Sequence, residues 1–191
     1  AGAGVAVGLT GGGGIVSNDG AINGVPGTSG VFIDNGGTIK NLKNGVISGG
    51  MFTAIVAQNG KVVIENDGVI NNAKKDAIII ELGSHNSEIT NNGKITAFGI
   101  GISLKGVDNT TIINESGATI NAATGINVIS TMGQQTSITN LGDLTGTTWA
   151  ISGGLGNETI INEGSITGHL SLGNGLNIIS NVRRGFTGGV I

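Results

Sequence analysis

Residues 88–105 read Glu-Ile-Thr-Asn-Asn-Gly-Lys-Ile-Thr-Ala-Phe-Gly-Ile-Gly-Ile-Ser-Leu-Lys. Glu88-Ile89-Thr90-Asn91 alternates polar and apolar, which is the period of a strand. Asn92-Gly93 supplies a turn, because glycine takes positive φ without strain. Lys94-Ile95-Thr96 is a second short strand with Ile95 directed inward. Ala97-Phe98-Gly99 bends the chain again, and Ile100, Ile102 and Leu104 alternate along a third strand. Lys105 to Asn109 then forms a loop into the next unit. At this spacing the strands do not pair as hairpins. They pair in parallel with the same strand one period away.

Working outward, the same unit recurs along the chain. Asn18, Asn41, Asn66, Asn91, Asn114, Asn140, Asn162 and Asn181 each follow by two residues a β-branched residue: Val16, Ile39, Ile64, Ile89, Ile112, Ile138, Ile160 and Ile179. The gaps are 23, 25, 25, 23, 26, 22 and 19 residues. Self-similarity at such a period marks a solenoid. The second strand repeats as Ile22, Ile47, Ile70, Ile95, Ile120, Leu144 and Ile166. The third strand is expected to repeat as Phe32, Ile55, Ile79, Ile102, Val128, Ile151 and Leu172, to within one position. Small residues (Gly24, Gly49, Ala97, Gly146 and Gly168) recur at the corner after strand two. The fold expected is all-β: a right-handed parallel β-helix forming one domain over residues 1–191, with about eight coils of ~19–26 residues and three short strands each. Handedness rests on the bias of parallel crossovers. Seven steps of ~4.8 Å make a rod roughly 34 Å long. The Asn column is the main stabilising device, because stacked amides can donate to one another along the axis.

Composition fits this reading. The 191 residues include 38 Gly, a single Pro and no Cys, and charged residues are 11% of the chain. With a mean hydropathy of +0.25 the chain has the opposite balance from a disordered one. The net charge of −3 gives no footprint for nucleic acid. The absence of Cys excludes a thiol nucleophile and a Cys-zinc centre, and suits threading through an envelope without covalent loops. No apolar run approaches the length of a membrane helix, and no signal-peptide pattern opens the sequence.

The strings "EITNNGKITA", "SITNLGDLTG" and "TIINEGSITG", each followed by a short apolar strand and a Gly-rich loop, resemble bacterial autotransporter passenger domains. The final stretch "TIINEGSITGHLSLGNGLNIISN" is similar to the coils preceding the translocator barrel in that family. The resemblance runs from about Ile15 to about Asn181. It implies a Gram-negative surface-attached or secreted protein, carried out by a C-terminal barrel. The function it implies is adhesion to host cell-surface or matrix molecules, self-association, or service as a rigid spacer in virulence. No enzyme module of the kind some passengers carry is visible.

Few residues look chemical. Glu81, His85 and Glu88 form the densest titratable cluster, in the loop "ELGSHNSE"; a metal or acid–base role is weighed against a solvated corner, and the corner is preferred. Asp19, Asp67 and Glu163 precede turn glycines, with Glu115 close by, and turn preference explains them better than a paired-carboxylate site. Gly153 to Glu158 resembles a single calcium nonapeptide, but has one copy and Glu158 where Asp belongs. Gly11 to Gly14 lack the Lys and helix of a phosphate loop. Trp149 is the only Trp, and 3% aromatic content counts against a polysaccharide-processing cleft. His169 reads as a lone outward residue. Lys74-Lys75 and Arg183-Arg184 read as solvated pairs, and the sequons at Asn109 and Asn157 as chance. No catalytic residue, metal ligand or cofactor is expected.

The ends depart from the pattern. Residues 1–14 look like a Gly-rich lead-in or a partial first coil, and Arg183, Arg184 and Phe186 replace the usual turn. Neither end shows a strong cap, so the chain is expected to be a fragment of a longer rod, and the isolated piece to dimerise or stack end to end. A non-enzymatic surface rod is therefore the first reading, with Lys40, Lys61, Thr90, Lys94 and Thr139 among its outward contacts. A polysaccharide-acting lyase or hydrolase is the alternative, and a phage-tail or ice-binding solenoid a weaker third.

Overall fold

The computed structural model describes residues 4–182 and 186–189. Every strand pairing in it is parallel, and each strand pairs with its counterpart one coil away. The described chain winds as a parallel β-solenoid of about seven turns, close to the eight coils counted in sequence.

Three ladders make the walls. Face one is an eight-stranded sheet running from Gly14–Asn18 to Ile178–Asn181. Face two begins with Ala21–Asn23, Val46–Ser48, Val69–Asn72 and Lys94–Ala97. Face three includes Gly4–Leu9, Thr28–Asp34, Ile55–Gln58, Ile78–Ile80 and Ile100–Lys105. Faces two and three fuse into one sheet further along, because Thr119–Ile129, Asp143–Ser152 and Ser165–Ser171 run through the corner between them. Gly4–Leu9 pairs with Thr28–Asp34 and so supplies a third-face strand ahead of the first Asn.

The core is a set of stacked columns. Ile39, Ile64, Ile89, Ile112, Ile138 and Ile160 stack on face one, and Ile47, Ile70, Ile95, Ile120, Leu144 and Ile166 on face two, all buried. Like on like in register lets each coil fill the space above the last at crystal-like density. On face three the counting needs correction. The inward column is Val31, Ile55, Ile78, Ile102, Ile126, Ile151 and Leu170. Phe32 and Ile79 each lie one residue off it. Val128 stacks instead on Leu104, and Leu172 lies two residues beyond Leu170. Face three carries two inward residues per strand and follows a corner of variable length, so counting from the turn glycine misjudges it.

The corners require small or left-handed residues. At Gly49 a Cβ would collide with the Phe52 carbonyl and the Asn72 amide. At the corner leading back to face one, Asn35, Asn59, Asn86 and Asn109 take positive φ, a conformation Asn tolerates better than other non-glycine residues. Among the described residues no helix is long and apolar enough to cross a membrane.

Candidate functional site

The Asn residues stand in register from Asn18 to Asn181. Each Nδ2 donates to the Oδ1 of the next coil at 2.7–2.8 Å, seven bonds in one direction. The second Nδ2 hydrogen of Asn41, Asn66, Asn91, Asn114 and Asn140 reaches a face-two carbonyl of the next coil, for example Thr119 O at 3.1 Å from Asn91. The column is buried through Asn162, while Asn181 is exposed. Its amides are consumed by one another, so it is a scaffold and offers nothing to a ligand.

The titratable groups are dispersed. Glu81 pairs with Lys105 at 3.4 Å and Glu88 with Lys61 at 2.6 Å, while His85 Nδ1 accepts the Asp108 N–H at 3.1 Å. The three residues close in sequence thus turn to partners on the neighbouring coils, Lys105 and Asp108 on one side and Lys61 on the other. No group of three His, Cys, Asp or Glu among the described residues is arranged to hold a metal. Asp19 and Asp67 accept from Asn44 and Asn92 at 3.2 and 2.8 Å. Amide and carboxylate alternate up that corner, which keeps like charges two coils apart. Asn109 donates to Asn86, and Asn157 accepts from the Leu176 N–H. Lys40 pairs with Glu65 at 2.9 Å. Arg183 and Arg184 lie outside the described residues.

Glu158, which stands where a calcium nonapeptide would carry Asp, is the one carboxylic acid enclosed in the wall among the described residues, with 0% exposure. It stacks in register on Thr136. Its Oε1 accepts from Ser130 Oγ at 3.2 Å, and its Oε2 has no partner. Burial pushes its pKa up, while hydrogen bonds from Ser130 and the backbone at Gly154 and Glu158 pull it partly back.

Among the described residues an open groove lies on face two, and a smaller one is lined by Asn109, Thr110, Gln135 and Thr136. Asn71, Thr96 and Asn121 are neighbours on adjacent strands. With Asn72, Ala73, Ala97 and Phe98 they line a groove of about 530 Å³. Asn72 shapes one rim: its Oδ1 accepts the N–H groups of Lys74 and Lys75, at 2.9 and 3.0 Å, and its Nδ2 donates to the Phe52 carbonyl. The outward row continues through Thr145 and Thr167. Along the adjoining corner lie Phe52 on the second coil, Phe98 on the fourth, Trp149 on the sixth and His169 on the seventh. His169 is therefore not alone: its ring meets Trp149 edge-on, with centroids 5.9 Å apart. The sequence reading missed this ring contact. Phe52, Phe98 and Trp149 follow Ile47, Ile95 and Leu144 at unequal distances, and the register sets Trp149 on Thr124 and Ile100, two residues beyond Phe98.

Compared with family models, curated proteins and solved structures, the chain finds no match.

Proposed function

We propose that this chain is a non-enzymatic rod presented at a bacterial surface, a passenger segment of autotransporter type that adheres to host or matrix molecules, associates with itself, or holds another module away from the membrane. The support is the repeat style described above and one structural observation: the candidate acid–base groups are engaged singly, by partners on neighbouring coils, in service of stacking. Hydrolysis of a glycosidic bond generally requires two carboxylates flanking it. Beside the groove, Asp76, three residues after Ala73, has its Oδ1 held by the Ile100 N–H at 2.8 Å. The rod stays rigid because its amide ladder and apolar columns run without interruption, which suits a surface that must present fixed contacts.

The test is binding of the labelled chain to host cells, immobilised matrix proteins and itself, run beside an assay for reducing ends or unsaturated products released from polysaccharides. Saturable binding without product supports the rod. Product release would sink it in favour of a polysaccharide-acting enzyme.

A further inference from the structure

Resting on the adhesive reading above, we infer that face two and its adjoining corner form a binding strip for an extended anionic polysaccharide lying along the solenoid axis.

The first observation is the aromatic corner. The chain has five aromatic residues, and Phe52, Phe98 and Trp149 share this corner. Phe98 is 73% exposed and Phe52 45%, although neither is needed to fill the core. Phe52 and Phe98 lie two coils apart, so they stand ~9.6 Å apart along the axis, twice the strand spacing, while Trp149 two coils further is displaced along the strand onto the Thr124 and Ile100 column. The spacing of the two Phe rings is of the order of a disaccharide in an extended glycan. A flat ring with open face is what an apolar sugar face packs on.

The second observation is the row beside it. Asn71, Thr96, Asn121 and Thr145 present amides and hydroxyls at every coil. Their side chains make no hydrogen bond among the described residues, whereas Ser48 and Asn23 below them bond each other at 2.7 Å. An apolar wall with a line of free donors and acceptors is how sites for polar ligands are built. A glycan offers hydroxyls at a comparable repeat.

The third observation fixes the charge. Among the described lysines, Lys40, Lys61 and Lys105 are in ion pairs. Lys43, Lys74, Lys75 and Lys94 have none. Lys74 and Lys75 sit on the corner of the third coil, between the coils of Phe52 and Phe98, and Lys94 borders the row two residues before Thr96. Three of the four unpaired described lysines therefore flank the groove from both sides. At the outer edge Lys94 is balanced by Asp67, whose Oδ1 accepts from Asn92, by Glu115 in the next turn and by Asp143 two coils further in its column. At the corner Lys74 and Lys75 outnumber Asp76, which is hydrogen-bonded to the backbone, so the surplus lies at the corner between Phe52 and Phe98. In a chain of net charge −3, this local surplus selects for carboxylate or sulfate groups on the ligand.

The experiment measures binding of the chain to heparin (sulfated), polygalacturonate (carboxylated) and dextran (neutral), at low and physiological salt. It uses Phe98→Ala, the Lys74→Ala/Lys75→Ala pair, and Lys43→Ala as an unpaired lysine at another corner. All substituted side chains are exposed, and circular dichroism checks the fold. The expected result is saturable binding to one or both acidic polymers and none to dextran. Phe98→Ala and the double variant should each weaken binding at least tenfold, with Lys43→Ala unchanged. Which polymer binds distinguishes a sulfated from a uronate source. Equal weakening by Lys43→Ala, or binding indifferent to Phe98, would overturn the strip as a diffuse charge effect. If the variants adhere to cells as the parent does, the strip is wrong and the adhesive rod stands. If the parent binds neither cells nor polymer, both fall.

Discussion

Replacing Asn91 by Leu should destabilise the solenoid far more than the same change at Asn181. In the interior the substitution deletes the bond from Asn66 Nδ2 (2.7 Å), the bond to Asn114 Oδ1 (2.8 Å) and the bond to Thr119 O (3.1 Å). Asn66 keeps Lys94 O at 3.2 Å, but Asn114 Oδ1 loses the donor it has on the coil below. A buried acceptor left unmet costs about 1–3 kcal/mol, and a net hydrogen bond lost elsewhere about 1 kcal/mol. The expected total is about 3 kcal/mol. For a chain of this size that is a fall in Tm of roughly 6–12 °C. At Asn181 only one bond ends on an exposed amide, so Asn181→Leu should cost less than about 1 kcal/mol. The double variant Asn91→Leu/Asn114→Leu removes the amide that the single variant orphans. Its cost should therefore fall short of the sum of the singles by about 1 kcal/mol, as expected for residues sharing a bond. Thermal melts followed by circular dichroism and by the fluorescence of the single Trp149 measure the parent and the four variants, Asn114→Leu included. Equal costs at positions 91 and 181, or strict additivity of the pair, would refute the amide ladder as an energetic unit.

Three further outcomes follow from the same geometry. Glu158→Gln should raise Tm near neutral pH and leave it unchanged in acid. The folded-state pKa is raised, so the unfolded chain ionises first, and stability falls as pH climbs from the ordinary carboxylate range through the folded pKa; a parent Tm that rises over that window, or that Gln does not lift, would contradict it. Gly49→Ala should cost about 1–3 kcal/mol, since the added methyl meets the Phe52 carbonyl and the Asn72 amide; denaturant midpoints read this, and a neutral result would show the corner gives way. Zinc, calcium or a chelator should leave Tm unmoved, because Glu81, His85 and Glu88 face separate partners; a rise of several degrees with either ion would restore a metal site.

Much of the fold was legible in residues 88–105 and their repeats. An Ile two positions before an Asn, then a Gly turn, specifies a short strand and a bend within one coil. Because the spacing recurs, one coil describes the rest. Face three was the weak place: its two inward positions and the uneven corner before it put the column on Ile126 and Leu170, two residues before Val128 and Leu172. The candidate clusters failed for a related reason. Neighbours in sequence such as Glu81, His85 and Glu88 are spread along a loop, while their partners Lys105, Asp108 and Lys61 come from adjacent coils.

By itself, then, the sequence determined the period, the strand ladders of faces one and two, and the Asn column, since each depends on local patterning and equal register. Only the tertiary structure decided which side chains share a corner. Phe52 and Phe98 come to the corner that carries Lys74 and Lys75, and Trp149 comes against His169, because corners of different lengths are absorbed between strands that remain in register. Likewise Glu158 became a buried acid only when Thr136 and Ser130 of the coil below closed over it. The physical reason is that strand pairing fixes the axial position of each coil, whereas a corner side chain's neighbours are set by how the intervening loops fold back onto that frame.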